Sequence, residues 1–222
     1  MLMRAKHEDI LVTLKLPCLS HVLKGNVSQH VLTVCVCPPD VRVLLNNDTL
    51  LKERATSAFA RYNKDQHTPV RIDGSALPAL ITEYNDLGGG RFYDPRSQQS
   101  FRYDHLRREP SDWQPWEADS ATEPWRAALQ ETWTAYVADH YRHGASSVFA
   151  LSRDGGIFLA ACIEDHQFQP NNFWNGRWRS VWTTTILPGA TSAELKGVVK
   201  VQVTNYLHWS WVLTNTRTVQ LG

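Results

Sequence analysis

Two histidines near the end of a predicted helix are the first residues whose types and spacing suggest chemistry. His140 and His143 are three residues apart, and Asp139 lies beside them. Zinc is held by four ligands, or by three ligands and a water molecule, and the spacing indicates no second ligand pair. Imidazoles at a helix C-terminus also interact favourably with the helix dipole, which explains them without a metal. The sequence therefore predicts no metal site here.

The spacing of the cysteines also predicts no metal site. Cys35 and Cys37 are separated by one residue, with His30 upstream, whereas Cys18 and Cys162 are distant in sequence. A zinc site of the usual kind needs a second close pair of ligands, which this spacing does not provide. So few cysteines, spread so widely, are also not typical of a disulfide-rich secreted protein.

Motifs for catalysis and phosphate binding are missing from the sequence. Gly88-Gly89-Gly90 lacks the lysine of a P-loop and precedes no predicted helix, so we interpret it as a turn. The Gly-x-Ser-x-Gly motif of a nucleophile elbow does not occur. The adjacent carboxylates of Glu164 and Asp165 cannot be assigned to one cleft from sequence. We predict that the chain is not an enzyme, with no catalytic residue and no cofactor.

The most unusual feature is an aromatic and basic segment at residues 166–182. On a β-strand, Trp178 and Trp182 point to one face, while Arg177 and Arg179 point to the other. Because Trp and Arg are enriched at binding hot spots, we predict a protein-interaction surface formed by Trp174, Arg177, Trp178, Arg179 and Trp182. Two alternatives stay open. The tryptophans could be core under a covering helix, or they could stack on nucleic-acid bases.

Composition limits the class of protein. The 222 residues are 42% hydrophobic, with a mean hydropathy of −0.37 and a formal net charge of +1. These values are typical of a globular protein and give no basic surplus for binding nucleic acid. No apolar stretch approaches the roughly 20 residues of a membrane-spanning helix, and the charged N-terminus is a poor signal peptide. We predict a soluble cytosolic protein that binds no nucleic acid and is not a membrane protein.

Periodicity and turn residues predict the elements that position these residues. Apolar residues at three- and four-residue steps predict a helix over about 49–63 and another over 125–141, the latter with Trp125, Tyr136 and Val137 on its apolar stripe. Turn signals divide residues 64–124 into short β-prone pieces. Arg153-Asp-Gly-Gly156 predicts a hairpin. The longer predicted strands are 147–152, 157–164, 173–186 and 197–206.

The segment at residues 166–180, HQFQPNNFWNGRWRS, resembles the family signature of the alpha subunit of F-actin-capping protein. Further stretches resemble the family in order and without large gaps, over roughly residues 41–203. They are 41–48, 58–63, 81–88, 91–96, 101–107, 135–141, 162–166 and 200–203. Residues 1–40 and 204–222 depart from the family pattern.

The resemblance implies an α+β fold. Its parts are an N-terminal helical stalk, a small β-rich globule, and a central antiparallel β-sheet with a helix packed on it, and the sheet continues across an alpha/beta heterodimer. We expect one apolar face of the sheet to be open, because the family's long covering helix has no counterpart after Val203. The expected parts are 1–40, a divergent N-terminal segment; 41–63, a helical stalk remnant; 64–124, a loop-rich β globule; 125–145, a helix; 146–206, the antiparallel sheet; and 207–222, a divergent C-terminal end lacking the family's basic "tentacle".

The resemblance also implies a function. Such alpha subunits pair with a beta subunit, bind the barbed ends of actin filaments independently of calcium, and block subunit exchange in the cytoplasmic cytoskeleton. Phosphoinositides, myotrophin and proteins with capping-protein-interaction motifs are the implied regulators. No actin-binding residue is carried over, because the tentacle has no counterpart here. Two alternatives stay open: a non-capping module that pairs with the beta subunit, and an enzyme that uses His140 and His143.

Overall fold

The computed structural model describes residues 48–72, 77–167, 174–205 and 209–221. The predicted segment 1–40, including Cys35 and Cys37, and residues 41–47 of the predicted stalk remnant lie outside these ranges. The helices are α1 (Asp48–Asp65) and α2 (Glu123–His140). The strands are β1 (Thr68–Val70), β2 (Ala79–Ile81), β3 (Asp86–Gly88), β4 (Arg91–Asp94), β5 (Gln99–Asp104), β6 (Glu109–Pro115), β7 (Ala145–Arg153), β8 (Gly156–Gln167), β9 (Trp174–Ile186), β10 (Ala193–Asn205) and β11 (Trp209–Leu221).

Helix α1 confirms the helix predicted over 49–63 and ends with a sharp change of direction. The N–H of Gln66 still bonds to the carbonyl oxygen of Tyr62 at 2.8 Å, as in a helix. The next residue, His67, has a φ of +48°, which is uncommon outside glycine and stops the helix. The chain then enters β1, which pairs with β2. The last turn of α1 is therefore fixed beside the β-rich part of the chain.

The small β-rich globule contains a four-stranded antiparallel sheet in the order β3-β4-β5-β6. In β5, Phe101 and Tyr103 are buried while Arg102 between them is exposed, as a two-residue period requires. The predicted turn at Gly88-Gly89-Gly90 is confirmed, since all three glycines have positive φ. The core of this globule is formed by Val70, Ile72, Ala79, Ile81, Phe92, Phe101 and Tyr103.

The central sheet is antiparallel and five-stranded, in the order β11-β10-β9-β8-β7. The predicted hairpin joins β7 to β8 through Asp154 and Gly155, whose φ values of 51° and 75° are those of a type I′ turn. The strands predicted over 173–186 and 197–206 are confirmed as β9 and β10. Sequence reasoning missed β11, which pairs along its whole length with β10. Within the predicted divergent end at 207–222, residues 209–221 thus extend the sheet.

Helix α2 confirms the second predicted helix but buries only part of its predicted apolar stripe. Trp125 and Tyr136 are 49% and 43% exposed, whereas Arg126, Gln130 and Val137 are buried. Gln130 is buried because it makes a polar contact with the sheet: its side-chain oxygen accepts a hydrogen bond from the backbone N–H of Val148 on β7 at 2.8 Å. Because β7 is an edge strand, α2 thereby caps a backbone donor that the sheet leaves unpaired.

The register of the central sheet assigns its side chains to two faces. Directly opposite residues of an antiparallel pair share a face. Cys162, Val181 and Val198 are opposite one another, and Cys162 packs against the globule residues Leu80 and Tyr93. We call this side the globule face. Adjacent residues point to the opposite face, which carries Ile163, Trp178, Trp182, Val199 and Val201.

Candidate functional site

The end of α1 is joined to the globule face by an ion-pair cluster. The Asp65 carboxylate accepts a bond from Nη1 of Arg179 on β9 at 2.9 Å and another from Nζ of Lys200 on β10. The same Arg179 nitrogen also donates to the backbone oxygen of Asp65 at 2.8 Å. Arg179 and Lys200 are register partners, which places both cations under one carboxylate. This cluster connects the helix to two strands of the sheet.

A second polar cluster lies on the same face. The carboxylate of Glu164 on β8 is fully buried and accepts a bond from Nε of Arg177 at 2.8 Å. Nη1 of Arg177 also donates to the side chain of Gln66 at 2.9 Å, and Nδ1 of His166 lies 3.0 Å from the Glu164 carboxylate. A buried carboxylate is tolerated only when it is paired in this way. The last residue of α1, Asp65, and the next residue, Gln66, are therefore held by two neighbouring clusters.

Burial and charge act in opposite directions on these groups. Burial raises the pKa of Asp65, but Lys200 and Arg179 outweigh it and hold the pKa of that carboxyl below its usual value. Burial lowers the pKa of Arg179, and Asp65 offsets part of this change. Burial also lowers the pKa of His67 to about 4, so its imidazole is neutral at pH 7. Nδ1 of His67 lies 3.4 Å from the carbonyl oxygen of Ile163, which it can reach only as a donor.

The five residues of the predicted interaction surface lie along β9, where Trp174 is the first residue. The register confirms that the arginines and the tryptophans point to opposite faces. Arg177 and Arg179 are 13% and 3% exposed in their side chains and pair with Glu164 and Asp65. Trp178 and Trp182 lie on the opposite face and are half-buried. The arginines therefore hold the helix, and the tryptophans belong to a separate surface.

The opposite face combines close aromatic packing with unpaired polar atoms. Gly197 is opposite Trp182, and a Cβ atom at Gly197 would overlap the indole ring, so the glycine lets the ring lie over β10. The ring of Trp178 lies 6.0 Å from that of Tyr141. Among the described residues, Nε1 of Trp178 and Oγ of Ser180 are buried without a hydrogen-bond partner. Buried donors of this kind are usually satisfied, so a partner on this face would complete them.

The structure also places His140 and the adjacent carboxylates of Glu164 and Asp165, which the sequence analysis considered for catalysis. His140 stacks on Tyr136 at 4.2 Å, and its Nδ1 lies 2.8 Å from the backbone oxygen of Tyr136. Glu164 and Asp165 point to opposite faces of β8, so they do not converge. Within the described ranges, no group of three or more His, Cys, Asp or Glu residues is arranged to hold a metal ion. The thiol of Cys162 is buried, which raises its pKa.

Comparison with known proteins shows the family to which this chain belongs. The family model described as F-actin capping protein alpha subunit matches residues 34–217. The chain belongs to this family. The match extends beyond the 41–203 expected from the sequence and includes most of β11.

Curated relatives and a solved structure agree with the assignment. The F-actin-capping protein subunit alpha of Caenorhabditis elegans is 52% identical over 169 residues, covering 75% of this chain and 58% of the relative. That of Dictyostelium discoideum is 36% identical over 181 residues, covering 81% and 63%. The chain thus spans less than two thirds of these relatives. The homodimeric actin capping protein alpha subunit from Plasmodium berghei shares the fold, with a TM-score of 0.71, 19% identity, and coverage of 83% of this chain and 70% of the other.

The site contains residues that sequence reasoning did not assign. Asp65 and Gln66 complete the two clusters, yet they are 135 and 111 residues from their partners Lys200 and Arg177. The available signal was a polar pair at the end of a predicted helix together with cations on a predicted strand.

Neither described helix is both long and apolar enough to cross a lipid bilayer.

Proposed function

We propose that this chain acts as the alpha subunit of a heterodimeric F-actin capping protein. In this role it binds the barbed ends of actin filaments without calcium and blocks the gain and loss of subunits. The observation that carries the proposal is the family match over residues 34–217, together with 52% identity to a capping-protein alpha subunit. The role requires no cofactor and no catalytic step, and it takes place in the cytoplasm, on the cytoskeleton.

The proposed heterodimer extends the central sheet into the beta subunit across β11. The two edges of the described sheet are β7 and β11. At the β7 edge, Gln130 of α2 already accepts the N–H of Val148. The 13 residues of β11 pair with β10 on one side, and their other side presents backbone groups typical of an edge that receives a further strand. The β11 edge is therefore the better site for the beta subunit.

The regulators implied by the resemblance belong to the same proposal. Phosphoinositides, myotrophin and proteins with capping-protein-interaction motifs would act on the assembled heterodimer. In the proposed domain organisation, α1 is the part of the stalk nearest the sheet, and the clusters at Asp65 and Glu164 support this placement. The alternative is a module that pairs with the beta subunit without capping, and it predicts the same dimer with no effect on filament growth.

Cross-linking from the two edges tests this arrangement. The chain is co-expressed with an F-actin-capping protein beta subunit in a background in which Cys18, Cys35 and Cys37 are replaced by serine. A single cysteine is then placed on β11 (Asn215→Cys) or, as the matched control, on β7 (Ala150→Cys). We expect an equimolar complex in which a short thiol-reactive cross-linker joins the beta subunit to β11 and not to β7.

Two outcomes would contradict the proposal. Recovery of the chain without the beta subunit would contradict the heterodimer itself. A complex that cross-links from β7 and not from β11 would contradict the proposed edge.

A further inference from the structure

A cavity of about 470 Å³ lies on the globule face of the central sheet, next to the Asp65 cluster. Strands β9 and β10 contribute Val181 and Val198, helix α1 contributes Arg61, and the turn between β2 and β3 contributes Tyr84. This volume is in the range of sites for small molecules. Four separate elements of the fold therefore meet around a space that suits a small ligand.

Cationic side chains dominate the lining of this cavity. The five that line it are Arg61, Lys64, Arg179, Lys196 and Lys200. Only two lining residues, Asp65 and Glu83, carry carboxylates. A concave site lined by charges of one sign concentrates ligands of the opposite sign. The cavity is therefore suited to an anion.

The ion pairs do not neutralise the lining, although Lys64 is paired at 2.9 Å with Asp86, which lies outside it. Arg179 and Lys200 share the single carboxylate of Asp65, so this group keeps a net positive charge. Arg179 is almost fully buried, and in the described part of the chain its Nε has no hydrogen-bond partner. The Arg179 guanidinium is buried, has one N–H group without an acceptor among the described residues, and shares the Asp65 carboxylate with Lys200. A further anion placed nearby would therefore stabilise it.

Two of the cations have no such internal role. Arg61 and Lys196 are exposed, and neither has an ion-pair partner among the residues that the structure describes. Arg61 belongs to α1 and Lys196 to β10, so they approach the cavity from different elements. Both charges can bind a phosphate without breaking a contact that holds the fold.

Apolar side chains complete the lining. Val181 and Val198 are register partners on the floor, and the half-buried ring of Tyr84 stacks on Phe158 at 6.1 Å. His67, also in the lining, is neutral because burial lowers its pKa to about 4. We propose that this cavity binds a small organic phosphate, with its phosphate group at Arg61, Lys196 and Lys200 and its apolar part against Val181, Val198 and Tyr84.

Calorimetric titration of the full chain, in the assembly in which it is purified, tests the proposal with two probes. The probes are adenosine 5′-monophosphate and inorganic phosphate. We expect saturable binding of one nucleotide per chain, weaker binding of inorganic phosphate because it lacks an apolar part, and loss of affinity with added salt. The double variant Arg61→Gln and Lys196→Gln should bind the nucleotide at least about tenfold more weakly.

The matched control removes two exposed cations elsewhere, through Arg107→Gln and Arg142→Gln. Its affinity should stay within about twofold of the unmodified chain. The absence of saturable nucleotide binding, or an equal loss in the control variant, would overturn the site. Equal affinity for both probes would overturn the apolar contact. Because the assay contains no actin, its result is independent of the proposed capping function.

Discussion

Replacement of Asp65 by asparagine tests whether the ion-pair cluster holds α1 to the central sheet. The substitution keeps the size of the side chain and removes the charge that faces Arg179 and Lys200. Arg179 is only 3% exposed, so it would stay buried without its carboxylate partner. Breaking a fully buried pair costs about 3–5 kcal/mol.

The expected magnitude is smaller than that range because water reaches part of the cluster. The Asp65 side chain is 30% exposed, which screens its interaction. We expect Asp65→Asn to lower the free energy of unfolding by about 2 kcal/mol at neutral pH. In a chain of this size, that corresponds to a fall in Tm of about 4–8 °C.

Urea unfolding followed by circular dichroism measures this change. Glu131→Gln is the control, because Glu131 is exposed on α2 and makes no ion pair among the described residues; it should change stability by less than about 0.5 kcal/mol. The folded-state pKa of Asp65 is depressed, so its contribution is complete above the unfolded value of about 3.9 and disappears as the pH falls through the folded value. Equal stability of Asp65→Asn and Glu131→Gln at neutral pH would refute the reasoning.

Three further predictions concern single buried residues. His67 is neutral in the folded chain down to a pH of about 4, so stability should fall between about pH 6.5 and 4, by up to about 3 kcal/mol, and His67→Gln should flatten this part of the pH profile; parallel profiles would argue against it. Gly197→Ala should displace the Trp182 ring, change the tryptophan fluorescence and cost about 1–3 kcal/mol, whereas Gly176→Ala, which meets nothing within 4 Å, should cost less; equal costs would contradict the packing. In a background without the other cysteines, Cys162 should resist iodoacetamide until the chain unfolds, because it is fully buried and its thiol pKa is raised; rapid labelling of the folded chain would exclude this.

The sequence predicted those helices, turns and strands whose formation depends on residues close together in the chain. The period of α1 and α2, the turn chemistry at Asp154 and Gly155, and the alternation along β9 all come from residues close in sequence. Strand β11 was missed although its sequence is rich in tryptophan, valine and threonine, which favour strands. Because strand propensity depends on context, this composition alone does not predict a strand.

The pairings between distant residues could not be predicted in the same way. Helical periodicity placed Trp125 and Tyr136 on the buried stripe of α2, but Gln130 is buried because the edge of β7 needs an acceptor. Asp65 lies beside Lys200 because the sheet and the turn at His67 bring together residues 135 positions apart. Such contacts depend on tertiary geometry, so the local sequence shows candidate charged groups but does not identify their partners.

Seeded actin elongation tests the central claim most directly. The chain, co-purified with an F-actin-capping protein beta subunit, is added to short filament seeds and fluorescent actin monomers, under conditions in which growth occurs at barbed ends. The account predicts that the complex stops this growth at concentrations far below that of actin, with and without a calcium chelator. A stable complex that leaves the rate of barbed-end growth unchanged would contradict the proposed function.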